Sequence, residues 1–327
     1  MADVSPWAGL AFLLLVGLLV YWLALVAWTI HALVRPPRRT YASAVARGKP
    51  GDPGEMDRPR PFTAWTLRSA GRDLAVWDVP GDLSGEHAPV VVVTHGWGSG
   101  KVSAIKQLPA ITPHAGRVVF WDLPGHGQSQ GLCTLGLREA DDLLALIDRL
   151  DAGGPLVLCG SSMGAGVSIE AAARSPGVAL VIAEAPYRLA PTPARNVMRQ
   201  RHAPTRLNLA PALACIGLAA TGRWTGPSLD RPGRPFDRCR HAAALGCPLW
   251  VLHGLSDATC PAADGQAIAQ ACPQGRFVAI EGGTHHNLWT EPILPGDDGA
   301  CLRPSPLQPA VRRPRLSCSP IWWACWT

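Results

Sequence analysis

Between Pro155 and Gly166 the chain reads Pro-Leu-Val-Leu-Cys-Gly-Ser-Ser-Met-Gly-Ala-Gly, a short apolar run that breaks into glycines and reopens as an alanine-rich stretch. Ser162 stands at the apex, in the pattern Gly160-x-Ser162-x-Gly164. A serine held on a sharp turn between a strand and a helix can act as a nucleophile. Glycines on both sides let the backbone turn where a Cβ would collide, and the free amides of the helix N-terminus point at the reacting atoms. Ser161, one position earlier, does not fit this register. Such chemistry also needs a base to take the hydroxyl proton, an acid to orient the base, and donors for the oxyanion.

The elements that would hold Ser162 are legible on both sides. Leu156–Cys159 is continuous and apolar, as a buried parallel strand is, and Val167–Arg174 is the helix that follows. Opening strands are expected at 63–67 and 74–79, a valine-rich central strand at 89–94, and further strands at 118–122, 178–183, 249–252 and 276–280. Residues 137–150 place Leu143, Leu144, Ile147 and Leu150 on one side with acids between them, an amphipathic helix, and 262–271 reads as another helix. This alternation predicts an α/β fold, a mostly parallel sheet with helices on both faces.

Composition bounds the rest. A chain of 327 residues with 47% hydrophobic content suits one large α/β domain plus appendages, not two domains of equal rank. The formal charge of +6 is uneven, with Arg35, Arg38, Arg39, Arg47 and Lys49 following the first apolar segment, and it does not point to nucleic acid. Ten cysteines occur with neither a Cys-x-x-Cys pair nor a Cys/His cluster at zinc spacing, so no metal, cofactor or disulfide framework is expected. Gly96-Trp-Gly-Ser-Gly-Lys101 is one residue short of a phosphate loop and offers Val102 where magnesium needs Ser or Thr, which argues against a nucleotide site.

From Trp7 to Ile30 there is no charged residue. About 24 residues at 1.5 Å each span roughly 36 Å, enough to cross a bilayer with some tilt. The run is too long for a signal peptide and lacks its flanks, so residues 1–34 are expected to hold a single transmembrane helix. Arg35, Arg38 and Arg39 follow it, which places the remaining chain on the cytoplasmic side by the positive-inside bias. Residues 35–61, rich in Pro and Gly, are expected to be an extended tether.

The motifs resemble, in order, those of the α/β-hydrolase superfamily over roughly residues 62–292. His95-Gly-Trp-Gly98 is similar to that family's oxyanion loop, Asp122-Leu-Pro-Gly-His-Gly-Gln-Ser129 to its fourth-strand turn, and Gly160-Ser-Ser-Met-Gly164 to its nucleophile elbow. Leu252-His-Gly-Leu-Ser-Asp257 resembles the stretch carrying the acid, and Gly282-Gly-Thr-His285 the one carrying the histidine. The resemblance implies a serine esterase or lipase with Ser162 as nucleophile, His285 as base and Asp257 as acid. His286 is the rival base, and Glu184, after the preceding strand, the alternative acid. The backbone amides of Met163 and Trp97, with Gly98 as neighbour, would form the oxyanion hole. His95, His126 and His253 belong to turn motifs and are expected to be structural.

Between about 187 and 246 the alternation lapses into an insertion, where the family places a cap over its site. Leu207, Leu209, Leu213, Ile216 and Leu218 are apolar, and the arginines, among them Arg188, Arg199, Arg201 and Arg238, face only Asp230 and Asp237. The combination suits a lipid ester, such as a monoacylglycerol or lysophospholipid, taken from the bilayer, with small soluble esters as the other substrate class. An aminopeptidase of the same fold would need acids in the cap. Residues 293–327 show neither helical nor strand period, and their composition reads like translation in a shifted frame. A domain weakened by such a tail would serve as a membrane-tethered binding module instead of an enzyme.

Overall fold

Period-two alternation sorts the strand side chains between two faces. In β3 (Val90–Thr94) Val90 and Val92 enter one apolar cluster while Val91 and Val93 enter the other. In β4 (Arg117–Trp121) Val119 and Trp121 part from Val118 and Phe120 in the same way. A strand that is apolar on both sides must be covered on both. The computed structural model describes residues 6–222 and 236–289. The strand pair β1 (Thr63–Ser69) and β2 (Arg72–Pro80) opens an eight-stranded sheet, completed by β5 (Leu156–Ser161), β6 (Val178–Glu184), β7 (Leu249–Gly254) and β8 (Gly275–Ile280). The order is β1-β2-β4-β3-β5-β6-β7-β8, with β1 and β2 antiparallel and β4 through β8 parallel. This is the expected α/β fold, with each strand within a few residues of its predicted place.

Ten helices among the described residues complete it. The long N-terminal α1 (Pro6–Val34) precedes the short α2 (Tyr41–Val45). One face of the sheet carries the short α3 (Lys101–Ala104) and α4 (Leu108–Ile111). The other carries α5 (Glu139–Leu150), α6 (Met163–Arg174), α9 (Arg238–Ala243) and α10 (Ala262–Ala271). Between β6 and α9 lie α7 (Pro191–Gln200) and α8 (Leu209–Thr221), the described part of the insertion.

Two segments differ from expectation. α6 begins at Met163, four residues before the predicted start, because Gly164 and Gly166 serve packing and do not break the helix. A Cβ on Gly164 would lie 2.2 Å from the Thr94 carbonyl oxygen, and one on Gly166 would lie 2.7 Å from Arg238 Nε. Residues 35–61 are folded onto the domain instead of forming an extended tether. Thr40 and Ser43 cap α2 reciprocally, Pro53–Glu55 make a 3-10 turn, and Arg38 donates to the carbonyls of Gly127 and Ser129 at 3.0 and 2.9 Å. Proline forbids long elements, as its density predicts, but not local caps or side-chain hydrogen bonds.

α1 is long and apolar enough to cross a membrane, with mean hydropathy 2.7 in its most apolar stretch of 18 residues. Its last turns dock on the domain. Trp97 Nε1 donates to the Leu33 carbonyl at 2.9 Å, and the Cys133 amide to that of Val34 at 3.0 Å. Asn208 Nδ2 reaches Thr29 Oγ1 at 2.7 Å, and α8 packs Leu209, Leu213 and Ile216 in the cluster that includes Leu33. The cap arginines are partly spoken for: Arg188 pairs with Asp237, and buried Arg238 crosses to Glu170 on α6. Arg223, Asp230, Arg231, Arg234 and the 293–327 tail lie outside the described residues.

Candidate active site

Every candidate side chain leaves the carboxyl end of a strand, where a parallel sheet gathers its loops. Ser162 follows β5 directly with φ 54° and ψ −113°, a left-handed conformation that a serine adopts only when its surroundings impose it. The imposition is visible. The Ser162 amide donates to the Glu184 carbonyl at 2.7 Å, continuing the pairing of β5 with β6, while α6 starts at the next residue. A Cβ on Gly160 would come within 2.3 Å of the Gly164 carbonyl oxygen, and one on Gly96 within 3.1 Å of Ser162 Cβ. Glycine is therefore required on both sides of the turn and opposite it.

Asp257 follows β7 and His285 follows β8. His285 Nδ1 and Asp257 Oδ2 are 2.7 Å apart. The other carboxylate oxygen, Oδ1, accepts the amides of Thr259 and Cys260, each at 2.8 Å. Burial works to raise the Asp257 carboxyl, but hydrogen bonds from His253, His285 and the Cys260 amide outweigh it and hold the group well below the usual carboxylate range. An ionised carboxylate against Nδ1 fixes the proton on Nδ1 and leaves Nε2 as the basic nitrogen.

The rivals are placed differently. His286 packs edge-on against His285, with ring centroids 5.0 Å apart, and its carbonyl accepts from Lys106. Burial lowers its basicity, with the charges of His285 and Lys106 acting the same way. Glu184 is buried, and its Oε2 accepts from Gln107 Nε2 at 3.0 Å and Trp289 Nε1 at 2.6 Å, so its bonds go to neutral donors and not to a histidine. Burial pushes its carboxyl up.

The loop after β3 is organised by two neutral histidines. The Leu123 amide donates to His95 Nε2 at 3.1 Å, so the proton sits on Nδ1, which donates to the Gly96 carbonyl at 2.8 Å. The same reasoning applies to His126, which accepts the Gly98 amide at 3.1 Å and donates to the Pro124 carbonyl at 3.0 Å. Burial, with the neighbouring His95, pushes His126 down to about 3. The Gly98 amide is thus committed to His126. The amides of Trp97 and Met163 have no partner among the described residues. Lys101, the last residue of the phosphate-loop-like stretch, is buried against Asp122 at 2.6 Å and cannot serve a phosphate.

One neighbour had no signal in the sequence. Cys260 is fully buried, and its Sγ lies with Asp257 and His285 donor atoms inside a 4.8 Å span. Burial drives its thiol well above the ordinary range, so it stays neutral. Three such atoms are a possible ligand set for a soft cation, yet both Asp257 oxygens are already engaged by N–H groups. No hydrogen bond joins Ser162 to His285 among the described residues; the two share the wall of one cavity. A cysteine directly after Thr259 in an irregular loop reads as apolar filler, and only the fold brings it to the Asp257–His285 pair.

Two cavities meet at Ser162. One of about 240 Å³ is walled by Leu33, Leu135, Tyr187, Ala194 and Val197, with Arg39 and Arg201 among its polar residues. The other, about 620 Å³, runs under residues 39–56 and is walled by Arg39, Arg47, Lys49 and Lys106. Leu33 belongs to α1, so the apolar helix is itself part of the site wall.

Residues 90–293 match the model of the alpha/beta hydrolase family. Among curated proteins none matches the sequence. Solved structures with the same fold include an esterase from Pyrococcus furiosus, 18% identical with a TM-score of 0.58 over 80% of this chain and 93% of that one. Est1E from Butyrivibrio proteoclasticus, solved with ferulic acid bound, is 18% identical with a TM-score of 0.53 over 70% and 96%. A hydrolase from Pseudomonas aeruginosa is 21% identical with a TM-score of 0.50 over 72% and 95%. With the glycine-flanked serine on its strained turn, the eight-stranded sheet and the family match over most of its length, the chain belongs to the alpha/beta hydrolase family.

Proposed function

We propose that the chain is a membrane-anchored serine hydrolase of carboxylic esters, with Ser162 as nucleophile, His285 as base and Asp257 as the residue that orients and charges against it. The observation that carries this reading is the 2.7 Å contact of His285 Nδ1 with an ionised Asp257, on loops that share a cavity with the strained Ser162. In the reaction the Ser162 hydroxyl hydrogen-bonds to His285 Nε2, across the cavity whose wall the two share. Free-enzyme contacts of this kind often form only with substrate in place.

Ser162 Oγ then attacks the ester carbonyl while its proton passes to Nε2. The carbonyl oxygen becomes an oxyanion facing the Trp97 and Met163 amides, each worth about 3 kcal/mol of transition-state stabilisation. The C–O bond to the alcohol breaks as Nε2 returns the proton to the leaving oxygen. Water, activated by the same nitrogen, releases the acid from Ser162.

α1 supports the anchored part of the reading. Trp7 and Trp28, exposed at 78% and 49%, are separated by about 31 Å along the helix at 1.5 Å per residue, close to the ~30 Å hydrocarbon thickness that aromatic belts bracket. Arg35, Arg38 and Arg39 follow on the domain side, which favours a cytoplasmic domain. Leu33 would then stand about 7 Å beyond the belt, putting the apolar cavity at headgroup depth and favouring lipid esters over small soluble ones.

The test is labelling of the membrane fraction with a fluorophosphonate probe, comparing the chain with Ser162→Ala. Labelling of the unaltered chain alone is the expected result. Equal labelling of both, or of neither, rejects Ser162 as an activated nucleophile. Extraction into the aqueous phase by carbonate wash would reject the anchor.

A further inference from the structure

We infer that the larger cavity receives an anionic group, a phosphate or carboxylate, carried on the alcohol side of the ester, so that the preferred substrates are acidic esters and not neutral ones. This rests on the serine-hydrolase reading and adds the chemistry of the leaving group.

The two cavities diverge from Ser162 and differ in how many cations they gather. The smaller joins the apolar side chains of Leu33, Leu135, Ala194 and Val197, suited to an acyl chain, to Arg39 and Arg201. The larger is ringed by four cations, Arg39, Arg47, Lys49 and Lys106, against one acid, Glu184. That acid is buried and bonded to Gln107 and Trp289; its burial raises its carboxyl while Lys106 acts against the rise, and even fully ionised it offsets only one of the four cations. None of the four cations pairs with a carboxylate among the described residues. Arg39 donates to the Gly98 carbonyl, Arg47 to Ser43 Oγ and Lys106 to the His286 carbonyl, all neutral partners.

Elsewhere the protein neutralises several of the guanidinium groups it fixes in place: Arg60 with Asp82, Arg117 with Asp78, Arg188 with Asp237 and Arg238 with Glu170. Four like charges left facing one concavity repel one another unless an anion joins them, and a concave surface focuses their field on its contents. The volume of about 620 Å³ falls in the range of small-molecule sites, ~300–1,000 Å³.

Three of the four cations come from the segment after α1, which the short α2 and its Thr40–Ser43 cap hold across the mouth. The segment therefore acts as a recognition strap. The acyl side is walled by Leu33, at the end of the helix that leads into the strap, and shares Arg39 with the larger cavity. An ester lying across Ser162 would place its chain toward α1 and its charged alcohol beneath the strap. The C–O bond that breaks lies between the two, and the alcohol leaves with the His285 proton into the cationic cavity.

The experiment uses the purified full chain in excess neutral detergent and measures laurate release from 1-lauroylglycerol 3-phosphate and from 1-lauroylglycerol, which share one acyl group. At low salt the phosphate ester is expected to be favoured about tenfold or more in kcat/KM, and the preference should shrink as added salt shortens the screening length from ~30 Å to a few ångströms. Arg47→Gln with Lys49→Gln should lower the preference about tenfold, at about threefold per partly exposed charge. Arg149→Gln, on α5 and away from the cavity, should leave it intact. Free glycerol 3-phosphate should compete if the cavity reads the anion itself, whereas an effect of the lipid alone would spare it. A preference for the neutral ester, or one unchanged in the double variant, overturns the inference while fluorophosphonate labelling of Ser162 still stands. Absence of both labelling and laurate release rejects the hydrolase reading and this inference with it.

Discussion

Replacing Asp257 by Asn tests the geometry of the site at one atom. The side chain keeps its size, and its oxygen can still accept the Thr259 and Cys260 amides that now hold Oδ1 at 2.8 Å. The loop therefore keeps its main restraint. The other position becomes an NH₂ facing His285 Nδ1, where a carboxylate oxygen stood 2.7 Å away. Two N–H groups cannot share that contact, so the imidazole must move its proton to Nε2, the nitrogen that has to accept from Ser162. His253 meets the same change, since its Nε2 lies 3.4 Å from Oδ2 while donating to the Cys260 carbonyl. The wrong tautomer costs about 10⁴ in kcat in sites of this design, or about 5.4 kcal/mol of barrier at 1.36 kcal/mol per decade.

The assay is ester hydrolysis with the rate of fluorophosphonate labelling beside it, and a thermal melt to show that the variant folds. Glu184→Gln is the control, expected to lose less than about tenfold, because Gln107 and Trp289 bond to that side chain in either form. A folded Asp257→Asn chain retaining activity within about tenfold, with Glu184→Gln the inactive one, would refute the assignment. The acid limb of stability carries the same signature. The Asp257 carboxyl is depressed below its unfolded value of 3.8, so its contribution is fully present above that pH and is lost as pH falls below it toward the folded value. Asp257→Asn should therefore flatten the loss of stability on acidification below pH 3.8.

Three further outcomes follow from packing. Gly164→Ala puts a Cβ 2.2 Å from the Thr94 carbonyl oxygen and should cost more than about 2 kcal/mol in a urea melt while abolishing labelling of Ser162. Arg238→Met takes away the nearest partner of Glu170 and leaves only Arg174 and His241 at 3.8 Å; because Arg238 and Glu170 are largely buried, the loss should be about 3 kcal/mol, partly restored by adding Glu170→Gln. Cys260→Ser puts a stronger hydrogen-bond donor than the neutral thiol beside the Asp257 carboxylate and His285, where it competes for the group that orients the imidazole, and should slow labelling by about two- to tenfold with the melting temperature near that of the parent; faster labelling would contradict the orienting role of Asp257.

The buried strands were readable because a parallel strand covered on both faces has no polar positions to interrupt it; Val90–Val93 and Leu156–Cys159 show this plainly. The turn at Ser162 was readable because only glycine fits where Gly160 and Gly164 meet backbone at 2.3 and 2.2 Å. The Gly282-Gly-Thr-His285 register favours His285 over His286, and the loop after His95 favours Trp97 over Gly98; the His285–Asp257 contact and the bond that commits the Gly98 amide to His126 join segments far apart in the chain, and no local pattern encodes those. The contacts of Cys260 were hidden for the same reason, as was the use of buried Arg238 to fill the space between α6 and α9. The 35–61 segment misled because proline density reports what the backbone cannot do; it is silent on what Thr40, Arg38 and Arg39 attach to.

Leu33 and His285 wall the same cavity although one lies near the start of the chain and the other beyond the last strand. During synthesis the first is in place long before the second exists. Every intermediate short of β8 has a sheet with an open edge at β7 or earlier, and a half-lined cavity with apolar side chains facing water. Contacts so distant in sequence form late and slowly, and unpaired strand edges invite association while they wait. The yield of this protein is thus set less by the strength of its finished core than by how long its partly made chains are kept from one another.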